Sequence, residues 1–565
     1  NGSGVTTMRE MTGGEAVYES LRALGVEHVF GIVSVHNIPI YDAIHRGGGI
    51  TPIAVRHEQG ALHAADGYAR ATGKLGVAIT STGPGVTNAM TGLFEAGFAS
   101  SRVMMITGQV DSVYYGKGKG FLHQAENQLP MLRTVTGRTE SVRRPEEIGE
   151  AMFRVASDIC TGRPRPGAIE IPVDFQYAKA EIDIPHVEAW PRIQPARDAV
   201  SRAAALIRES SNVVIWAGGG VLTAEAEREL QQLAERLNAP VFTSANGRGA
   251  IPEDHPLCMG PLTNMPAFGE IFDEAEVVLA VGTRFQGGAT RNWTMPLPAK
   301  LIHIDADPAV INRNYHADLP IVADARLALS AILRDLDDAH AEAREDGARR
   351  PAGHSTFLSR AQELRDAARA QIRKEIGPDY EAIMDAMRDH LPREGFVVRD
   401  ATVPAYLWGN RLLPILAPRT SINPTSAAIG PALPLAIGAA IGTGRKAAVI
   451  QGDGGFMLNI AELSTAAQYN VPVIVCVFND SGYGVLRSIE GRTFDGRQFG
   501  GALHTPDFVT VSRGMGVEAE RVDSAAAFRA AFARGVAHEG PYLIDIDVTK
   551  LTPMAGLGTP PPRKP

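Results

Sequence analysis

Residues 451–459 read QGDGGFMLN, a Gly-Asp-Gly-Gly step behind the apolar run KAAVI and ahead of a helical pattern. A strand that delivers glycines to a helix start presents free backbone N–H groups to an anion, and the missing side chains let a phosphate come close. A carboxylate has no direct use for a phosphate. Asp453 therefore points to a divalent cation held between carboxylate and phosphate oxygens, the donor set that Mg²⁺ prefers. A second oxygen donor follows in VPVIVCVFNDSGYG, which ends in Asn479, Asp480 and Ser481, and an adjacent parallel strand would bring that end beside Asp453. Alone, Gly-Asp-Gly reads more readily as a solvent turn with an Asx hydrogen bond. The paired strand tips the reading to a cation–phosphate site.

Such a site needs strands to carry it. Short β-branched runs such as EHVFGIV, TPIAVR, LGVAITST and RVMMITGQ alternate with amphipathic stretches, the pattern of an α/β chain with doubly wound parallel sheets. Thr12 with Glu15 makes a capping box for the first helix, with Val17, Leu21 and Leu24 on one face and Gly25 to end it. Prolines in PHVEAWPRIQP, residues 185–195, break both periods and read as a linker. NVVIWAGGG, APVFTSA, EVVLAVGTRF, KLIHIDADP and LPIVADA form a second unit, closed by the polar stretch 339–354, which reads as a solvated connector. GFVVRDA, KAAVIQGDGG, VPVIVCVFND and PYLIDIDV form the third. The expected organisation is three doubly wound domains, residues 8–184, 195–340 and 375–550, with a Pro/Gly-rich tail at 551–565.

The chain of 565 residues is long enough for several cores, and no apolar run approaches the roughly twenty residues of a membrane span. A net charge of −8 without a basic stretch argues against nucleic acid, so an anionic ligand must be held locally. The opening NGSGVTT has no leader pattern, and a cytoplasmic location is the default expectation. Cys160, Cys258 and Cys476 fit no metal or disulfide spacing and read as small buried apolar residues.

The Gly-Asp-Gly step followed some two dozen residues later by an Asn/Asp cluster resembles the thiamine diphosphate signature of the acetolactate synthase and pyruvate decarboxylase superfamily. VRHEQGALHAADGYARATG and STGPGVTNAMTGL resemble the same enzymes. The resemblance spans essentially the whole chain and implies pyrimidine-binding, central and diphosphate-binding domains in that order. It implies that Mg²⁺ is bound by Asp453, Asp480 and the Gly482 carbonyl, with Asp480 where the family usually has Asn and Asn479 as the neighbouring alternative. Gly452, Gly454, Gly455 and Tyr483 would lie against the diphosphate end of the cofactor. Glu58 would protonate the aminopyrimidine, Ile429 would support the bent cofactor, and the Ala427 carbonyl would face the exocyclic amine. His57 and His63 lack the HExxH spacing of a zinc protease. The site of such enzymes joins Glu58 of one subunit to Asp453 of another, so a homodimer is the minimum and a homotetramer is expected.

Substrate choice follows from the residues around the thiazolium. Where acetolactate synthases carry Trp-Gln, GYGVLRSIEGRTFDGRQ has Ile489 and Glu490. With VFGIVSVHNIPIYDAI, this pair is similar to bacterial 2-hydroxyacyl-CoA lyases acting on short branched substrates. The implied reaction cleaves a 2-hydroxyacyl-CoA, such as 2-hydroxyisobutyryl-CoA, reversibly into formyl-CoA and a ketone or aldehyde through a carbanion stabilised by thiamine diphosphate. Glu490 would move the hydroxyl proton, His36 and Gln124 would sit near the reacting carbonyl, Leu122 and Ile489 would limit acyl size, and His123 would line the pocket. WAGGGV and VGTRFQGG, with Arg284, are candidates for ADP, FAD or coenzyme A, and Arg563 and Lys564 of the tail for its phosphates. The rival readings are an acetolactate synthase-like 2-keto acid decarboxylase or carboligase, with or without FAD, and a non-catalytic relative.

Overall fold

Residues 8–297, 299–345 and 354–555 are described by the structure, a computed structural model. Residues 346–353 of the expected connector, and Arg563 and Lys564, lie outside them.

Three six-stranded sheets carry the chain, each parallel throughout. Across the first, the strands run Thr51–Ala54, His28–Gly31, Gly76–Thr80, Val103–Gln109, Gly167–Pro172 and Arg138–Ser141. The second is ordered Cys258–Gly260, Val241–Thr243, Val213–Ala217, Val277–Val281, Lys300–Asp305 and Leu319–Val322. The third is ordered Ser421–Ile422, Phe396–Arg399, Ala447–Gly452, Val473–Asn479, Tyr542–Asp547 and Glu518–Val522. Helices cover both faces, so central strands are apolar on both sides: every residue of Val473–Asn479 is buried. A small antiparallel pair, Arg9–Thr12 with Lys179–Ile182, adds to the first unit.

Each sheet has a reversal of strand order between two inner strands, and the crevice at the carboxyl ends there is where such folds take ligands. The reversal falls between the strands ending at Gly31 and Thr80 in the first sheet, at Ala217 and Val281 in the second, and at Arg399 and Gly452 in the third. Ser34, His36 and Ser81 follow the first pair, Gly218–Gly220 and Arg284 the second, and Asp400 and Asp453 the third.

The Thr12 capping box is present, with the Thr12 hydroxyl accepting from the Glu15 amide and the Glu15 carboxylate accepting from the Thr12 amide. All three cysteines are free and buried. The Glu58–Thr72 helix packs on Ala432–Thr443 at very close range, because Gly67 meets the Leu435 carbonyl and Gly438 meets the Ala64 carbonyl. Any Cβ at either glycine would collide with backbone.

His63 is buried in this packing, and neither ring nitrogen has a partner among the described residues. Burial lowers its pKa to about 4 from the ordinary 6.5. A depressed histidine contributes stability above about pH 6.5 and loses it as pH falls towards 4, when the unfolded chain takes a proton the folded one refuses. The expected contribution is about 3 kcal/mol at neutral pH. His63→Leu should therefore flatten the loss of stability between pH 6.5 and 4 in urea unfolding, whereas an unchanged slope would place the acid sensitivity elsewhere.

Candidate active site

The strand Ala447–Gly452 pairs in parallel with Val473–Asn479, Gly452 opposite Phe478, and this register brings the two acidic ends together. Asp453 begins a short helix and is buried. One of its oxygens accepts from the Gly482 amide at 2.8 Å and the other from the Asp480 amide at 3.4 Å. Burial first, then the Asp480 charge, raise the Asp453 pKa to about 6. Two carboxylates that repel one another in a buried site beside helix-start amides make a ready seat for a cation and the anion it brings. The Tyr483 ring lies against Gly454, where a Cβ would come within 2.6 Å of it. Gly452 and Gly455 pack near Thr402 and Asp400, 3.1 and 3.4 Å from the positions their Cβ atoms would take. Asn479 is turned away, its amide donating to Asp545 at 3.0 Å and its oxygen accepting from the Ser481 amide at 3.1 Å.

Glu58 is the first residue of its helix, behind the His57 cap, and accepts from the Asn88 amide at 3.0 Å. It is half-buried. Glu462, from the third unit, accepts from the Arg56 and His57 amides at 3.1 Å each and so ties the start of the Glu58 helix to the Asp453 region. The reverse tie comes from Glu95, which accepts from the amides of Thr425 and Ser426 at 2.6 and 3.0 Å and anchors the loop carrying Ala427 and Ile429. Ala427 is held at φ 63°, and Ile429 is 39% exposed. Among the described residues no hydrogen bond joins Glu58 to the Asp453 cluster within the chain.

Models of the thiamine pyrophosphate enzyme family match three stretches: the N-terminal TPP-binding domain at residues 11–131, the central domain at 200–332 and the C-terminal TPP-binding domain at 404–546. The chain belongs to the thiamine pyrophosphate enzyme family. It is 33% identical to a probable acetolactate synthase large subunit of Methanocaldococcus jannaschii, over 97% of this chain and 94% of that protein. It is 35% identical to a probable 2-ketoarginine decarboxylase of Pseudomonas aeruginosa, over 90% and 89%. It is 31% identical to acetolactate synthase isozyme 3 large subunit of Escherichia coli, over 90% and 89%.

This thiamine pyrophosphate enzyme places its remaining candidates in two groups. Ile489, Ala427 and Arg284 line one cleft of about 1200 Å³ that runs from the central sheet's reversal to the Gly484–Thr493 helix. The Arg284 guanidinium, brought down to about 10 by burial, donates to the Phe98 carbonyl at 2.5 Å and lies over the Phe98 ring. Glu490, on that helix, accepts from the Phe499 amide at 3.1 Å. His36 and His123 both reach Ser81 across the first sheet's reversal. Leu122 is 60% exposed, and Gln124 is committed within its own loop, accepting from the Phe121 amide at 3.0 Å and donating to the Tyr114 carbonyl at 3.4 Å. As placed here, Gln124 has both ends of its side chain engaged away from the other candidates, because its loop closes on itself.

Three side chains escaped the sequence reading. Arg487 donates to the Asp480 carboxylate at 2.6 Å and to its carbonyl at 2.9 Å, offsetting the charge that an aspartate adds at this position. The i, i+7 spacing from Asp480 across a turn carries no simple signal. Asp400, raised to about 6 by burial, accepts from the amides of Gly430 and Ala432 and from Gln451, holding the loop over the third sheet's reversal. Ser81, in STGPGVTNAMTGL, meets Ser34, His36 and His123, partners distant from it in sequence. Among the described residues no helix is long and apolar enough to cross a membrane.

Proposed function

We propose that this enzyme makes or breaks a carbon–carbon bond beside a carbonyl as a 2-keto acid decarboxylase or carboligase of the acetolactate synthase kind. The observation that carries this reading is near-full-length identity of 31–35% to proteins named acetolactate synthase and 2-ketoarginine decarboxylase. Thiamine diphosphate, when bound, supplies the electron sink for carbanion chemistry. The residues fit it. Among the described residues no group of three or more His, Cys, Asp and Glu is set to hold a metal. Mg²⁺ would instead rest on Asp453, Asp480, the Gly482 carbonyl and the ligand's own oxygens. The amides of Gly454 and Gly455 would receive the diphosphate, and Glu58 would give a proton to the aminopyrimidine. Phe94 and Phe98 are exposed on the Pro84–Ala99 helix that brings Asn88 to half-buried Glu58, and Ile429 and Leu458 are exposed beside the other half-site, which supports a homodimer that completes the site from two chains.

A second reading is a 2-hydroxyacyl-CoA lyase releasing formyl-CoA, and Ile489 with Glu490 favours it. A carboxylate there would repel an anionic keto acid, yet could take the hydroxyl proton of a neutral 2-hydroxyacyl group. The cleft lined by Arg284, Arg313 and Arg419 has room and charge for the coenzyme A nucleotide.

Incubation of the holoenzyme with pyruvate and, separately, 2-hydroxyisobutyryl-CoA decides between them by mass spectrometry. Carbon dioxide from pyruvate without thioester cleavage is the expected result for the first reading, and formyl-CoA with acetone overturns it for the second. Glu490→Ala should lower turnover of the thioester by about a hundredfold or more, with thiamine diphosphate affinity nearly unchanged. A large loss of cofactor binding would make Glu490 structural.

A further inference from the structure

Two buried carboxylates from different units grip the segment that carries Ala427 and Ile429. On one side Glu95, wholly buried on the Pro84–Ala99 helix of the first unit, accepts from the Thr425 amide at 2.6 Å, the Ser426 amide at 3.0 Å and the Ser426 hydroxyl at 2.5 Å. On the other side Asp400 accepts from the Gly430 and Ala432 amides at 2.9 and 3.1 Å. Only residues 427–429 lie between the two grips. Arg70 donates to Glu95 at 2.7 Å and also to Asp66 and the Asn423 carbonyl. Burial by itself raises the Glu95 pKa, but Arg70 and the Ser426 donors outweigh it and hold the carboxyl below its usual range, so Glu95 accepts as an ion.

The span between the grips is strained. Ala427 stands at φ 63°, in the left-handed region that a residue with a Cβ enters at a cost. Such a backbone persists only where its surroundings over-determine it. Ser426 passes the constraint on: its hydroxyl donates to Glu95 and accepts from the Ala428 amide at 3.4 Å, while the Ala427 amide donates to the Pro424 carbonyl at 3.1 Å. Among the described residues nothing donates to the Ala427 carbonyl, and Ala427 lines the cleft. Asp400 also packs on Gly455, 3.4 Å from the position its Cβ would take, so the frame is fixed to the glycines at the other end of the site.

We infer that Glu95 is a positioning residue: by holding Thr425 and Ser426 opposite the Asp400 grip, it forces Ala427 into its strained turn and leaves the Ala427 carbonyl free, at a set separation from Gly454 and Gly455, for the exocyclic amine of thiamine diphosphate. The inference rests on the cofactor placement common to both readings of the function. A cofactor recognised at both ends binds best when that separation is set before it arrives, and Glu95 sets it from outside the unit that would receive the diphosphate. In Glu95→Gln the amide keeps the shape but can turn its oxygen to only one side, and its N–H then faces a buried donor on the other.

Titration calorimetry of the full-length protein with thiamine diphosphate at saturating Mg²⁺ tests this. Glu95→Gln should weaken binding about ten- to a hundredfold, the usual effect of leaving buried donors without a partner. Adding Ala427→Gly should recover about three- to tenfold of that loss, because glycine takes a positive φ without being forced, and Ala427→Gly alone should bind within about threefold of the parent. Parental affinity in Glu95→Gln would overturn the proposal. So would a lowered urea midpoint in Glu95→Gln with no affinity recovered by Ala427→Gly, since Glu95 would then merely join two units. Should Glu95→Gln fail to fold, Ser426→Ala, which removes only the hydroxyl linking Glu95 to the Ala428 amide, carries the same test, with an expected loss of about three- to tenfold that Ala427→Gly restores. If the parent binds no thiamine diphosphate, the functional reading fails, and hydrogen exchange of the cofactor-free protein still decides the frame. The Thr425 and Ser426 amides should exchange about ten- to a hundredfold faster in Glu95→Gln than in the parent, and unchanged exchange would overturn the proposal.

Discussion

Glu58→Gln is expected to lower turnover by about a thousandfold, within the range for loss of a general acid–base group. The amide keeps the shape of the side chain and can still meet Asn88, which bonds the carboxylate at 3.0 Å. It can donate a hydrogen bond but has no acidic proton to give up to a ring nitrogen. Deuterium exchange at C2 of the bound cofactor, followed by NMR after acid quench, should slow by a similar factor, while thiamine diphosphate still binds within a few-fold of the parent. The helix start is tied down by Glu462 rather than by Glu58, so the fold should be indifferent to the change. Normal C2 exchange in Glu58→Gln would remove Glu58 from the chemistry.

Arg487→Met should weaken thiamine diphosphate binding about ten- to a hundredfold at saturating Mg²⁺, the usual cost of losing a group that orients a metal ligand. The guanidinium touches both the carboxylate and the carbonyl of Asp480, and the next acidic group is Asp453 itself. Without the arginine, two carboxylates face an incoming diphosphate with nothing to offset the second. Asp480→Asn on the Arg487→Met background should then recover most of the affinity, because the neutral amide keeps an oxygen and drops the charge. Titration calorimetry of the four proteins reads this as a cycle. If the double variant binds no better than Arg487→Met, charge balance is not what the arginine provides.

The motif glycines and acids were legible because their chemistry is local in sequence: a strand, a turn and a helix start occupy consecutive residues. The central strands were legible for a related reason, since burial on both faces demands unbroken apolar runs such as VIVCVFN. Some edge strands escaped, although TPIAVR and LPIVADA, at the edges of the first and second sheets, were legible. Arg138–Ser141 reads RTES and Glu518–Val522 reads EAERV, polar because only one neighbour covers them. Gly167–Pro172 lies inside its sheet but carries Glu170, whose buried carboxylate accepts from Gln109, Gln128 and Tyr115, partners no local pattern reveals.

By itself, then, the order of residues specified three doubly wound layers, a cation–phosphate step at Asp453 and the helix that begins with Glu58. It left the comparison of substrates to a pair of side chains, Ile489 and Glu490. Tertiary structure decided what those groups meet: Arg487 on Asp480, Glu462 on the Glu58 helix, Glu95 on the Ala427 loop, and Ser81 between two imidazoles. The reason is that a hydrogen bond between residues hundreds of positions apart depends on register and on helix approach, which are properties of packed surfaces. Periodicity encodes which face is buried, and only the packed chain says which polar atom that face delivers to its neighbour.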